Sequence, residues 1–400
     1  MSRFVVSGIG EDREMVSTRE RALEIFSSIA DGVDELVVSG KSYSPEAAEA
    51  IRDFFLKREI NKTVLSLNIA DSIARRPEKE ALASLQHLCD CFEEAPKLES
   101  IDISDNALGA KGVLVAKKLL SNKSEQLKRV SFRNNGLNYE AMKVVAEILL
   151  GDAKSSTLKA IHISNNLLES AGAIEASYLV EKCPSLEEFE MTSTRVGREG
   201  SVAISKALGT CSSLRTINVS DNTFGEEGAE ALADVLKECD SLEYAVIRDL
   251  SVEDDGMILL LDALCESAPN LKVLDISTNE LTEDSAEAIA RMLKTKKRLE
   301  KLIVDENELG SDGAKTIADA LDKELHKNLK EVSLEENAIT ADGAREIGKK
   351  CSDLPSLEKL NLNSNSIARD AVDELAELLE NVLGDMEDNL SDDEDEDNED

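Results

Sequence analysis

Leu98-Glu-Ser-Ile-Asp-Ile-Ser-Asp-Asn-Ala-Leu108 decides the reading of this chain, because nearly every other part repeats that line. Ile101 and Ile103 alternate with Asp102 and Ser104, the pattern of a short strand with one apolar face. The spacing L-x-x-L-x-L-x-x-N-x-L recurs from Leu127, Leu158, Leu186, Leu214, Leu242, Leu271, Leu299, Leu329 and Leu357. Degenerate copies begin at Val33 and Val64. Successive starts lie about 28 to about 34 residues apart.

This is the line of a leucine-rich repeat. Each strand is followed by a stretch such as Glu227-Gly-Ala-Glu-Ala-Leu-Ala-Asp-Val-Leu-Lys237, whose apolar residues fall at helical spacing. Gly197, Gly225, Gly228 and Gly313 read as turn residues between strand and helix. Asn106 sits where its amide can satisfy backbone groups of the turn, and Asn135, Asn166, Asn222, Asn279, Asn307, Asn337 and Asn365 repeat it as a ladder. One strand and one helix cannot bury a core alone, but about twelve stacked coils can. The predicted fold is an α/β leucine-rich-repeat solenoid, a horseshoe or crescent with a parallel sheet on its concave face.

Three segments follow. Residues 1–32 lack the line and form an N-terminal cap, with a strand at Phe4-Val-Val-Ser-Gly and a helix over Thr18-Arg-Glu-Arg-Ala-Leu-Glu-Ile-Phe-Ser-Ser. Residues 33–384 are the solenoid. Residues 385–400 are nearly all acidic and are expected to be a disordered tail in which Ser391 is a solvated serine.

The net charge of −36, from 82 Asp and Glu against 46 Lys and Arg, disfavours nucleic acid and anionic membranes and favours a basic protein partner. Neither a signal peptide nor an apolar run of membrane-spanning length is present in the sequence. Cys183, Cys211 and Cys239 share one repeat position and read as buried small hydrophobes. Cys89 and Cys91 form a C-x-C without a second pair, so no metal site is expected. Reduced thiols without an export signal point to the cytosol. His87, His162 and His326 are scattered, and His162 reads as a surface residue. No hydrolase triad and no phosphate-binding glycine loop is visible, so no nucleotide cofactor is expected.

Two departures from the repeat mark a candidate site. The coil from Val64 to Leu98 is the longest, and its extra residues lie in Ile69-Ala-Asp-Ser-Ile-Ala-Arg-Arg-Pro-Glu-Lys-Glu80. Pro77 suits the first turn of the next helix and places Arg76 on the rim. Two coils on, Ser131-Phe-Arg-Asn-Asn-Gly-Leu137 carries Asn134 beside the ladder residue Asn135. Two coils span about 10 Å, so Arg76, Asp105 and Asn134 can address one partner.

Asp71-Ser-Ile-Ala-Arg-Arg-Pro-Glu-Lys-Glu-Ala-Leu82, Ser104-Asp-Asn-Ala-Leu-Gly109 and Arg133-Asn-Asn-Gly-Leu137 resemble segments of the RanGAP family, the GTPase-activating proteins of the small GTPase Ran. The resemblance covers most of the chain. The first segment is similar to the family's arginine loop in its plant-like form, where a Gly-Arg-Pro stands; here Arg75 replaces the glycine and Arg76 is the matching arginine. The resemblance implies an activator that is not itself an enzyme. It would hold GTP-loaded Ran so that Ran's own glutamine orients the attacking water. Arg76 and Asn134 would then be the residues that matter for activity. Asp71, Arg75, Asp105, Asn106, Arg133, Asn135 and Asn165 would contact the partner, with the acidic rim of Asp221, Asp249, Asp305, Glu306, Glu335 and Glu336. It further implies no cofactor of the chain's own, since GTP and magnesium belong to the partner. A Ran-binding protein would be a further partner, and the chain a cytoplasmic monomer, with the nuclear periphery as a further location. It lacks the Trp-Pro-Pro targeting domain of plant members and the C-terminal domain of vertebrate ones, an architecture that resembles fungal members. The competing expectation is a non-catalytic binding or inhibitor scaffold of the ribonuclease-inhibitor type.

Overall fold

The quoted line folds as a strand of three residues, Ser100–Asp102, followed by a turn and a helix, and the other lines do likewise. The computed structural model describes residues 2–6 and 13–389. It forms two compact units, Met1–Val196 and Gly197–Asp400.

In the first unit the strands are β1 (Arg3–Val5), β2 (Glu14–Val16), β3 (Glu35–Val37), β4 (Lys41–Tyr43), β5 (Ser66–Asn68), β6 (Ser100–Asp102), β7 (Arg129–Ser131), β8 (Ala160–His162) and β9 (Glu188–Glu190). The helices are α1 (Arg19–Ile25), α2 (Pro45–Lys57), α3 (Glu78–Cys91), α4 (Gly109–Val115), α5 (Lys117–Leu120), α6 (Tyr139–Leu150) and α7 (Glu169–Val180). Strands β1, β3 and β5 to β9 pair in parallel, and Leu67, Ile101, Val130, Ile161 and Phe189 fall in register as one buried column. A strand of three residues exposes too little surface to stand alone. Its stability comes from this column and from the helices packed behind it.

The second unit repeats the plan. Its strands are β10 (Thr216–Asn218), β11 (Tyr244–Val246), β12 (Val273–Asp275), β13 (Lys301–Ile303), β14 (Glu331–Ser333) and β15 (Lys359–Asn361). Its helices are α8 (Arg198–Leu208), α9 (Gly225–Leu236), α10 (Glu253–Glu266), α11 (Ala286–Leu293), α12 (Gly310–Ala320), α13 (Ala341–Ser352) and α14 (Arg369–Leu379). The column here is Ile217, Ala245, Leu274, Leu302, Val332 and Leu360.

The asparagine ladder forms as expected. Asn106 donates its amide to Ile69 O at 2.9 Å and Ile103 O at 3.0 Å, and its Oδ1 accepts Ser72 N at 2.9 Å. Asn135 Oδ1 in turn accepts Asn106 N at 3.0 Å. Thr194 and Leu250 take the ladder position in two coils, both buried. Asn106 and Asn135 are buried and committed to the backbone, which corrects the expectation that they contact a partner. They are scaffold.

Two glycines also differ from expectation. Gly228 and Gly313 lie inside α9 and α12, not in turns. A Cβ on Gly228 would stand 2.4 Å from Ser201 Oγ, so close helix approach, not backbone freedom, requires it. Gly197 caps α8 and Gly225, at φ +61°, opens α9, so these two stand between strand and helix as expected.

At the N-terminus, Phe4 pairs with Leu36, and Thr18 caps α1. Strands β2 and β4 form a separate parallel pair that no sequence pattern announced. At the other end the coil does not stop at 384. Met386 and Asn389 are buried, and Asn389 Oδ1 accepts Asn365 N at 2.8 Å, adding one more rung to the ladder. The strongly acidic residues 390–400, including Ser391, lie outside the described residues. Cys183, Cys211 and Cys239 are buried, as their repeat position predicts.

Asn135→Ala strands the Asn106 amide in a dry turn. The expected loss is about 1–3 kcal/mol, read as a lower urea midpoint at unchanged m-value.

Candidate functional site

The turns that leave each strand share a constraint. The residue just before the ladder position is left-handed in coil after coil: Asp71 (φ 50°), Asp105 (59°), Asn134 (52°), Asn165 (55°), Ser193 (52°), Asp221 (54°), Asp249 (51°), Thr278 (55°), Glu306 (55°), Glu336 (51°) and Ser364 (54°). Asn and Asp tolerate this region because a short polar side chain bonds locally. Asn134 is therefore not an extra residue but the occupant of a position every coil has, exposed like Asp105, Asn165 and Asp221. Its Nδ2 donates to Asp105 Oδ1 at 2.9 Å. That contact engages one hydrogen of the amide nitrogen, and among the described residues nothing donates to Oδ1.

The long turn of residues 71–77 is tied down from several sides. Ser42 Oγ donates to Ala74 O at 2.6 Å, Tyr43 N to Ser72 O at 3.0 Å, and Ile73 N to Asn106 Oδ1 at 3.3 Å. Asp71 is gripped by Arg13 through Nε at 3.0 Å and through Nη2. Asp71 is thus spent within the fold. Lys41 and Arg21 both reach Glu14, and hydrogen bonds from Arg21 and then Lys41 hold that carboxyl down at about 2.

The two arginines of this turn part company. Arg76 turns inward, its side chain 6% exposed. Its Nη2 donates to Ser42 O at 2.7 Å and Val16 O at 3.1 Å, and its Nη1 lies 3.7 Å from Glu80. Nε is buried without a partner, and burial pushes the guanidinium below its ordinary range against the opposing pull of Glu80. The rim placement expected for Arg76 is corrected: Ser42 and Val16 draw its head group into the fold. Arg75 is exposed and left-handed at φ 62°. Both arginines line a cleft of about 560 Å³ walled by Ile73, Leu82 and Leu108.

On the strand face Arg133 pairs with Glu190, and Arg129 holds Glu188 through two bonds of 2.8 Å. His162 lies between them, 3.5 Å from Glu188 Oε2 and buried, so its reading as a surface residue is overturned. The acids Glu188 and Glu190 on the next strand, with Glu190 in register with His162, were the available signal. In the second unit, Asp221 and Glu306 are exposed. Asp249 is pushed up by burial and then by Asp221. Asp305 accepts Glu335 N at 2.9 Å, and Glu335 accepts Asn361 Nδ2 at 2.7 Å, so both are engaged within their own rim.

A family model described as "Leucine Rich repeat" matches residues 94–115, 210–233, 267–290 and 326–348. The yeast structure of the Rad7 and Elc1 complex superposes with a TM-score of 0.56 at 17% identity, covering 84% of this chain and 80% of that one. That likeness establishes the fold alone. Ran GTPase-activating protein 1 of Xenopus laevis is 42% identical over 318 residues, 77% of this chain and 54% of that protein. RAN GTPase-activating protein 2 of Arabidopsis thaliana is 30% identical over 129 residues, 32% of this chain and 24% of that protein. Ran GTPase-activating protein 1 of Saccharomyces cerevisiae is 25% identical over 182 residues, 41% of this chain and 44% of that protein.

This is a leucine-rich-repeat chain, similar over most of its length to a protein named as a Ran GTPase-activating protein. It spans about half or less of the length of these curated relatives. Arg75 stands on a backbone that glycine adopts freely, since φ there is +62°.

Arg75→Gly should therefore leave the fold intact and raise its stability by up to about 1 kcal/mol, seen as a higher melting midpoint. A second prediction concerns pH. Burial, more than the neighbouring charges, holds His162 below its ordinary value of 6.5. The unfolded chain then binds the extra proton, so stability is full above pH 6.5 and falls as the pH drops below it. His162→Gln should flatten that fall in a denaturation series across pH.

Proposed function

We propose that this chain is a GTPase-activating protein for Ran: it binds GTP-loaded Ran through its repeat rim and accelerates GTP hydrolysis by that partner, in support of nucleocytoplasmic transport. The observation that carries the reading is the 42% identity with the Xenopus protein across 318 residues, a stretch long enough to include scaffold and rim together. In this reading the chain performs no chemistry itself. GTP and magnesium sit in the partner, and the rim supplies geometry.

Asn134 has the right form for that task. It is exposed on a turn fixed by the buried ladder beneath it, and Asp105 accepts from its amide nitrogen while its amide oxygen takes no donor among the described residues. A partner glutamine has amide hydrogens to offer such an oxygen, and a glutamine so held can orient a water for in-line attack. Orientation of this kind is worth several kcal/mol, and a misplacement of about 1 Å costs roughly 100-fold in rate. The exposed acids Asp221, Glu306 and Glu336 suit a basic partner surface. We place the protein in the cytoplasm and at the nuclear periphery, as a monomer that works with Ran and a Ran-binding protein. No helix among the described residues is long and apolar enough to cross a membrane.

The test is single-turnover GTP hydrolysis by Ran with catalytic amounts of this chain. Acceleration by orders of magnitude is expected, cut roughly 100-fold by Asn134→Ala. Asp105→Ala should lower it less, by freeing the Asn134 amide to rotate. A folded chain that binds Ran without accelerating hydrolysis would leave the inhibitor-scaffold reading in its place.

A further inference from the structure

We propose that Arg75 is the arginine that meets the partner, through an anionic oxygen, and that Arg76 is a positioning residue that holds the Arg75 turn in place. The inference rests on the activator reading and assigns the two arginines different work within it.

Arg76 cannot serve both roles from where it stands. Its guanidinium satisfies two backbone carbonyls, Ser42 O in the middle of β4 and Val16 O at the end of β2. It thereby stitches the turn 71–77 onto the β2/β4 pair, helped by Arg13 gripping Asp71 and by Ser42 Oγ on Ala74 O. Swinging the head group outward would abandon both carbonyls, and each buried acceptor left bare costs about 1–3 kcal/mol. Pro77, next in the chain, restricts the backbone before it as well.

Arg75 is the opposite case. It is exposed, and no hydrogen bond or ion pair of its guanidinium exists among the described residues. Most arginines of this chain of net charge −36 find a carboxylate, as Arg13, Arg52, Arg58, Arg129 and Arg133 do. Arg195, Arg298 and Arg369 share the lack of one among the described residues, but of these four unpaired arginines Arg75 is the one that lines the cleft. Its left-handed backbone costs about 1–2 kcal/mol that a glycine would avoid. The fold spends that strain to present a cation it does not use internally, at the cleft it shares with Lys111, whose own charge is taken by Glu78 at 2.6 Å. A free guanidinium in a fixed turn fits a planar pair of anionic oxygens. A carboxylate on the partner and a phosphate of its bound nucleotide share that chemistry.

The experiment uses the full chain with Arg75→Ala, Arg75→Lys and Arg76→Ala, measuring kcat and KM for Ran·GTP alongside amide hydrogen exchange at Ser72 and Ile73. Those amides report the turn because both donate to Asn106 Oδ1. Arg75→Ala is expected to lower kcat/KM by at least about tenfold with exchange unchanged, and Arg75→Lys to recover part of it. A loss in KM alone identifies a partner carboxylate, and a loss in kcat identifies the phosphate. Arg76→Ala is expected to speed exchange at both amides and to lower kcat/KM in step. Arg75→Ala within about twofold of the parent overturns the proposal, as does an Arg76→Ala that loses activity with both amides still protected. Failure of the activator reading looks different. The parent chain itself would then leave GTP hydrolysis unchanged, while the exchange arm still reads the anchoring by Arg76.

Discussion

Buried backbone needs partners, and in this fold one side chain per coil supplies them. Each ladder asparagine serves its own turn and the coil before it, as Asn106 does for Ile69, Ile103 and Ser72. The strands are three residues long and the ladder positions after them are buried, so without the ladder several peptide groups per coil would be left bare. The apolar columns behind the strands give the cohesion. The ladder makes the turns repeat in one conformation.

That repetition creates the candidate site. Because every ladder residue is held in place, the residue before it is forced left-handed and outward, and a row of short polar side chains appears on the rim. Asn134 and Asp105 are neighbours in this row, and their mutual bond turns a flexible amide into a fixed acceptor. The long coil from Val64 to Leu98 breaks the pattern, and the fold meets the break with Arg76. Its buried guanidinium does for the turn 71–77 what the ladder does elsewhere: it closes open carbonyls. Arg75 is then exposed as a consequence.

Much of this was legible in the chain. The strand lines, the ladder and the buried cysteines all followed from periodicity, because a repeat samples the same environment many times and each copy confirms the others. The candidate segments 71–77, 105 and 133–135 were also legible, as departures from that period. What was not legible shares one cause: it joins side chains far apart in the chain whose meeting no repeated residue type marks. Arg13 on Asp71, Arg76 on Val16, and His162 between Glu188 and Glu190 are pairings of this kind. Gly228 and Gly313 were misread because close helix approach and turn freedom both call for glycine, and the residue type does not say which.

The sequence by itself determined the α/β repeat fold, the register of its strands and the rim as the place to look, since all three follow from side-chain alternation and spacing along one coil. Only the tertiary structure decided which side chains reach that rim. Two adjacent arginines, alike in sequence, were separated by a positive φ at one and two waiting carbonyls at the other. Those carbonyls come from Val16 and Ser42, and where they lie is settled by how the N-terminal strands pack against the turn, which no local pattern encodes.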